Sequence, residues 1–173
     1  MKKISKMERL ILSNQYEILS KLAENEYEKK DYQTKREIFV QGYEYNYDDA
    51  TEYFADLMSK EDSEFVWNVL EMYRAFQNAY TKDPENIDEK AISFQGFDGN
   101  STTNYYSYCK FVIHEMDRYA EFKKIDLNSH GNYPREDTLK IWVSRWKEII
   151  EKRRENQVGY MPLSAEDIKK IIA

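Results

Sequence analysis

The sequence predicts an all-α fold, a compact multihelical array of about seven helices without significant β-sheet. Three observations carry this. Apolar residues recur at three- and four-residue spacing along most of the 173 residues. No segment alternates polar and apolar residues over a strand's length. Five glycines and three prolines leave little material for hairpin turns. No linker, repeat or low-complexity tract interrupts the pattern, so residues 1–173 are expected to form a single helical domain.

The first helix is expected from Ile4 to Leu22, with Ile4, Met7, Leu10, Ile11, Ile18, Leu19 and Leu22 as its apolar stripe. Asn14 lies on the line Met7–Ile11–Ile18, beside Gln15. A stripe turned to the core would bury one of these amides, paired with a backbone or hydroxyl group and fixing the helix register. A second helix covers 26–41, and Gly42 supplies its left-handed terminator. A short third helix is expected near 48–58, with Tyr53, Phe54, Leu57 and Met58 on one side. Ser59 caps the next, whose buried line is Val66, Val69, Tyr73, Phe76 and Tyr80, and which ends before Asp83-Pro84.

Residues 84–101 form a connection, with at most a helical turn at 88–92. A helix is expected over 102–122, with Tyr105, Tyr108, Val112, Met116 and Tyr119 on one face. The polar run "DLNSHGNYPRED" follows. Asp137 is expected to cap a helix bearing Leu139, Trp142, Val143, Trp146, Ile149 and Ile150. In "PLSAEDIKKIIA" Ser164 is the N-cap of the last helix, with Asp167 at the third position and Leu163 stapled onto Ile168.

Composition excludes several classes. A net charge of −6 counts against a general nucleic-acid binder. The single cysteine, Cys109, excludes an intramolecular disulfide and fits a reducing, cytoplasmic location. The N-terminal apolar run "LIL" is too short for a signal peptide, and no window approaches a membrane span. Aromatic residues make up 15% of the chain, fifteen of them tyrosines, so hydroxyl groups are expected to find partners inside the core or at an interface.

Several stretches together resemble the YfbU family: "ERLILSNQYEIL", "VLEMYRAF", "FQGFD" with the following "Y..Y.KF", "RYAEF", "HG" at 130–131 and "PLSAEDIKKII". They occur in order from about Met7 to Ile172. The resemblance implies a helical cytoplasmic protein and carries no catalytic residue over. The family pattern has an acidic residue a few positions after the Phe-Asp pair. Thr102 stands there in this chain, which weakens any role needing a second carboxylate beside Asp98.

Chemistry has few places to reside. In "GFDGNSTTN", Gly96 and Gly99 are expected to take backbone angles other residues avoid, Asn100 or Ser101 to cap the following helix, and Phe94 and Phe97 to pin the loop. The same geometry admits a polar-ligand or anion site on Ser101, Thr102 and Thr103, against which Asp98 counts. A small-ligand sensor or hydrolase-type enzyme would use Asp98 with His114 or His130; a pocket joining Asp98, His130 and a basic side chain would favour it. No metal-ligand spacing or cofactor loop appears, so no metal or cofactor is expected. Cys109 reads as a small core residue. The basic segment 145–154 could serve a nucleic-acid-associated regulator, but its glutamates pair with it at helical spacing, and a solvated face is the simpler reading.

The first-ranked function is association, with itself as a dimer or larger homo-oligomer, or with a protein partner. Its sequence motive is tyrosine excess, with Tyr43, Tyr45 and Tyr47 as candidate interface residues.

Overall fold

The computed structural model describes residues 4–50, 52–156 and 161–173. Among these lie six α-helices: α1 (Lys6–Leu22), α2 (Glu26–Gln41), α3 (Lys60–Lys82), α4 (Thr103–Lys110), α5 (Glu136–Glu155) and α6 (Ala165–Ile172). No strand occurs among the described residues, only an isolated parallel bridge between Phe97 and Asn128. The all-α expectation holds. No described helix is long and apolar enough to cross a membrane.

Four helix starts follow the same local chemistry. The side chains of Ser5, Asn25, Ser59 and Ser164 accept the N–H groups of Glu8, Glu28, Asp62 and Asp167. Each satisfies a donor that has no partner within its helix. Ser5 and Ser164 complete capping boxes, because Glu8 and Asp167 reach back to the cap N–H groups. Gly42 ends α2 at φ +78°, as its position predicts, and its N–H donates to the Ile38 carbonyl.

Contacts divide the chain into two compact units, Met1–Leu57 and Met58–Ala173, where the sequence gives no sign of a boundary. The first unit is a helical hairpin, α1 turning through Ala23–Asn25 into α2. Arg9 Nη1 donates to the Phe39 carbonyl at 3.2 Å, and Arg36 Nε meets Glu17 at 2.8 Å, which sets the helices antiparallel. Tyr16, Phe39 and Tyr47 stack in series, with ring centroids 5.7 and 5.2 Å apart. Ile38, Phe39 and Tyr47 are its buried core.

The second unit is built round α3. Val66, Val69, Leu70, Met72, Tyr73, Phe76 and Ala79 are all essentially buried, so α3 is covered on more than one side. Elements of 87–127 and α4–α6 supply the cover. Tyrosine hydroxyls find partners there, as the composition requires. Tyr119 donates to Glu71 at 2.7 Å, Tyr105 to Asp62 at 2.8 Å, and Tyr108 accepts from Trp67 at 3.0 Å.

Three element boundaries depart from expectation. The helix near 48–58 does not form. Short 3-10 turns at Glu44–Asn46 and Asp48–Ala50 occur instead, residue 51 lies outside the described residues, and Tyr53, Phe54 and Leu57 are exposed. So short a helix needs packing to hold it, and of its four apolar residues only Met58 reaches a core. The helix expected over 102–122 ends as α4 at Lys110. A π-turn, Phe111–Glu115, follows, and Asp117 and Tyr119 at φ +55° and +51° turn the chain aside. Beyond the turn Tyr119 and Phe122 are buried, Tyr119 against Trp67 of α3 and Phe122 against Phe94. The α5 cap is Arg135, with no side-chain bond, and Asp137 sits in the first turn.

α6 is held by its cap and by Arg153, which donates to Asp167 at 2.5 Å from a half-buried position. Ser164→Ala removes the cap acceptor. It is expected to cost about 1 kcal/mol, read as a lower denaturant midpoint at unchanged slope. No shift would mean that α6 does not depend on this cap.

Candidate functional site

The two glycine-containing loops of the second unit meet edge to edge. Gly96, at φ +79°, lets the backbone press against the Leu127 carbonyl; a Cβ there would lie 2.0 Å from that oxygen. Phe97 N–H donates to the Leu127 carbonyl and Ser129 N–H to the Phe97 carbonyl, both at 3.0 Å. Phe94 and Phe97 are buried and fix the first loop to Tyr73 and Phe122, as the sequence predicts. Gly99 is a correction: the expected left-handed angle is absent. What excludes a side chain there is Asn128, whose amide nitrogen would lie 2.9 Å from a Cβ.

Asn128 ties the loops. Its Oδ1 accepts from Gly99 N–H at 3.0 Å and from His130 N–H at 2.9 Å. Asp126 in turn accepts from Asn128 N–H at 2.9 Å and meets His130 Nε2 at 3.3 Å. His130 and Gly131, at φ +50° and +77°, bend the second loop back beside Asp98.

Asp98 is occupied by its own loop. Its carboxylate accepts from Ser101 Oγ at 2.5 Å and Asn100 N–H at 3.0 Å, and its carbonyl from Thr102 N–H and Oγ1, both at 2.9 Å. The Ser101 hydroxyl and the Asn100 N–H hold its carboxyl below the usual carboxylate range, with a small contribution from His130. Such a group is ionised and a poor base at neutral pH. Thr103 Oγ1 donates to the Gly99 carbonyl at 2.9 Å. The three hydroxyls proposed as ligand donors, on Ser101, Thr102 and Thr103, are thus used to close the turn. Thr102 is the N-cap of α4, without a side-chain cap bond, in place of Asn100 or Ser101.

Asp98 and Arg135 do share a depression of about 400 Å³, with Ser129, Asn132 and Glu136 also on its wall. Ser129 is 4% exposed. A larger cavity of about 710 Å³ lies elsewhere in this unit, lined by Arg74, Ala75, Trp146, Ile150 and Leu163. Nothing in the spacing of these residues singles it out in the sequence. Trp146 Nε1 is buried without a partner, alone in this among the described residues.

The other candidates separate. His114 is exposed on the π-turn. Among the described residues no three His, Cys, Asp or Glu side chains gather as metal ligands. Cys109 is buried, and burial pushes its thiol up to about 12, so it is inert at neutral pH. The basic segment works inside the fold. Arg145 donates to the carbonyls of Ile171 and Ala173, Arg153 to those of Met161 and Pro162, and Arg154 pairs with Glu151. Of the tyrosines, Tyr43 and Tyr45 are exposed, whereas Tyr47 is part of the unit's core.

The feature that sequence reading placed on the wrong side is the α1 stripe. Met7, Leu10, Ile11, Ile18, Leu19 and Leu22 are 39–71% exposed, and Asn14 and Gln15 are exposed with them. Ser13 and Ser20 are buried instead, on the helix face that carries Arg9 and Tyr16 to α2. Their hydroxyls donate back to the carbonyls of Leu10 and Glu17 at 2.9 and 2.8 Å, so small self-satisfied side chains suit that face. The expected buried amide does not occur.

The family model described as the YfbU domain matches residues 1–173. The chain belongs to the YfbU family. A similar curated relative is the UPF0304 protein MJECS11 of Methanocaldococcus jannaschii. It is 32% identical over 157 residues, covering 87% of this chain and 91% of the relative. The family match spans both compact units, and with it the α1 face and the paired loops.

Two results are expected from the loops. Gly96→Ala places a side chain at positive φ against backbone and should cost about 2 kcal/mol or more, against about 1 kcal/mol for Gly99→Ala, whose obstacle is a side chain. Equal denaturant midpoints for the two would contradict the close approach at Leu127. Asp98, with its folded pKa depressed, adds stability above its unfolded value of about 4 and loses it as pH falls through the folded value. Asp98→Asn should therefore lower the melting temperature slightly at pH 7 and flatten its decline in acid below about pH 4.

Proposed function

We propose that this protein acts by protein–protein association, in the first place with itself, through the apolar face of α1. One observation carries the reading: six large apolar side chains of one helix stand exposed while two serines of the same helix are buried. Surface apolar residues scattered singly need no explanation, but a contiguous stripe along a helix does. The reading replaces the tyrosine run as the interface while keeping the association expected from the sequence. Tyr43 and Tyr45 remain available on the same unit. The inert, buried Cys109 fits work in a reducing cytoplasm.

A second reading has its own observation. Asp98 and Arg135 face one depression, an acidic and a basic group of the kind a small-ligand sensor or hydrolase would use, although the His130 ring is turned to Asp126. The hydrogen bonds on Asp98 favour a structural turn. A melting temperature raised by Asp98→Asn at pH 7 would mark a carboxylate kept for a ligand, and would promote this reading.

Association is tested by light scattering. The mass should exceed one chain at micromolar concentration, and Ile18→Asp should return it to one chain with the helical circular-dichroism signal retained, the melting temperature falling only by the loss of the partner. A one-chain mass for the unaltered protein across a wide concentration range would sink it.

A further inference from the structure

At about 100° per residue, Met7, Ile11, Ile18 and Leu22 fall within about 60° of one another on α1, with Leu10 and Leu19 flanking them on opposite sides. Their order along the helix reads the same in both directions. Met7 and Leu22 are the outer pair, Ile11 and Ile18 the inner pair, and Asn14 and Gln15 stand at the centre. All of these side chains are exposed.

We infer that the occupant of this face is α1 of a second copy, laid antiparallel about a two-fold axis that passes between Asn14 and Gln15. The inference rests on the reading that the protein associates through α1. In this arrangement Ile11 packs on the partner's Ile18 and Met7 on the partner's Leu22. Each contact occurs twice, as an isologous interface requires.

Three physical points select a reversed second copy. The first is area. The six apolar side chains expose on the order of 600 Å² per copy, close to the ~800 Å² per partner of a standard interface. The second is the pair of amides. An apolar partner would bury Asn14 and Gln15 without hydrogen bonds, at a desolvation cost. A two-fold axis at the centre instead brings Asn14 beside its own copy on one side and Gln15 beside its own copy on the other. Each amide carries both donors and an acceptor, so each can pair with itself. A polar residue in the middle of an apolar seam also fixes register. The third is electrostatic. Antiparallel helices oppose their dipoles, whereas parallel ones would place like ends together.

A charge swap tests orientation and surface together. Ile11→Lys, Ile18→Glu and the double variant are compared with the unaltered protein by analytical ultracentrifugation, with circular dichroism melts to confirm folding. Each single variant should fall to one chain, because a charge then faces an isoleucine. The double variant should regain the two-chain mass, since each introduced lysine meets an introduced glutamate across the axis. Its dissociation constant should be at least about tenfold below that of either single variant, and should rise with salt. A parallel pair would set lysine on lysine and glutamate on glutamate. A double variant that stays at one chain therefore overturns the antiparallel pairing and leaves association through α1 standing. Single variants that keep the unaltered mass overturn both.

Discussion

The larger unit depends on the burial of α3. Seven of its residues, from Val66 to Ala79, are hidden from water, more than one neighbouring helix can cover. A helix apolar over so wide an arc must be enclosed. The rest of the unit reads as the solution. α5 and α6 cover part of it. The connection through Ile87, Ile92, Phe94 and Phe97 covers another part without regular structure. The kink after α4 brings Tyr119 and Phe122 down, while Arg74 on α3 lies 4.1 Å over the Tyr119 ring and bonds Glu121. The left-handed angle at Tyr119 is unfavourable in itself, and the packing on either side of it holds it in place.

The paired loops follow from the same demand. A connection that must bury phenylalanines has backbone groups to satisfy in the interior. The exchange between Phe97 and the 127–129 backbone does so with two hydrogen bonds, and Asn128 adds two more. That is why a protein with so few glycines spends them here. The polar constellation of Asp98, Asn128 and His130 is chiefly the scaffold of this crossing. Its carboxylate is turned inward to its own loop, and that separates a structural turn from a reactive centre.

Much of this was legible in the sequence, for local reasons. Caps at Ser59 and Ser164, the terminator at Gly42 and the anchors Phe94 and Phe97 are written in short-range chemistry, and they stand where expected. What failed depended on distant partners. The apolar spacing of 53–58 resembles a helix, but Tyr53, Phe54 and Leu57 are 79–97% exposed. The break at 117–119 has no proline or glycine to announce it; tertiary packing sets it. Periodicity found the α1 stripe but could not say which way it faces. Small serines at Ser13 and Ser20 allow a close helix contact as readily as leucines fill one, and only the fold reveals that choice. Of the candidate site, Asp98 lies on the depression that Arg135 also lines, while the His130 ring meets Asp126, His114 is exposed on the π-turn, and Arg135 carries no sequence signal.

Cys109 is the chain's sole sulfhydryl, hidden on α4 among residues of the core. Its burial makes the folded protein a blank for thiol chemistry. A maleimide or spin label offered to the native protein has no exposed thiolate to attack. A cysteine introduced on the surface would be the one reactive sulfur in the molecule, with no need to remove the natural one and no cavity left in the core by its removal. The fold thus supplies a background on which distances between chosen points, along α1 or across the paired loops, can be measured by pairwise labelling.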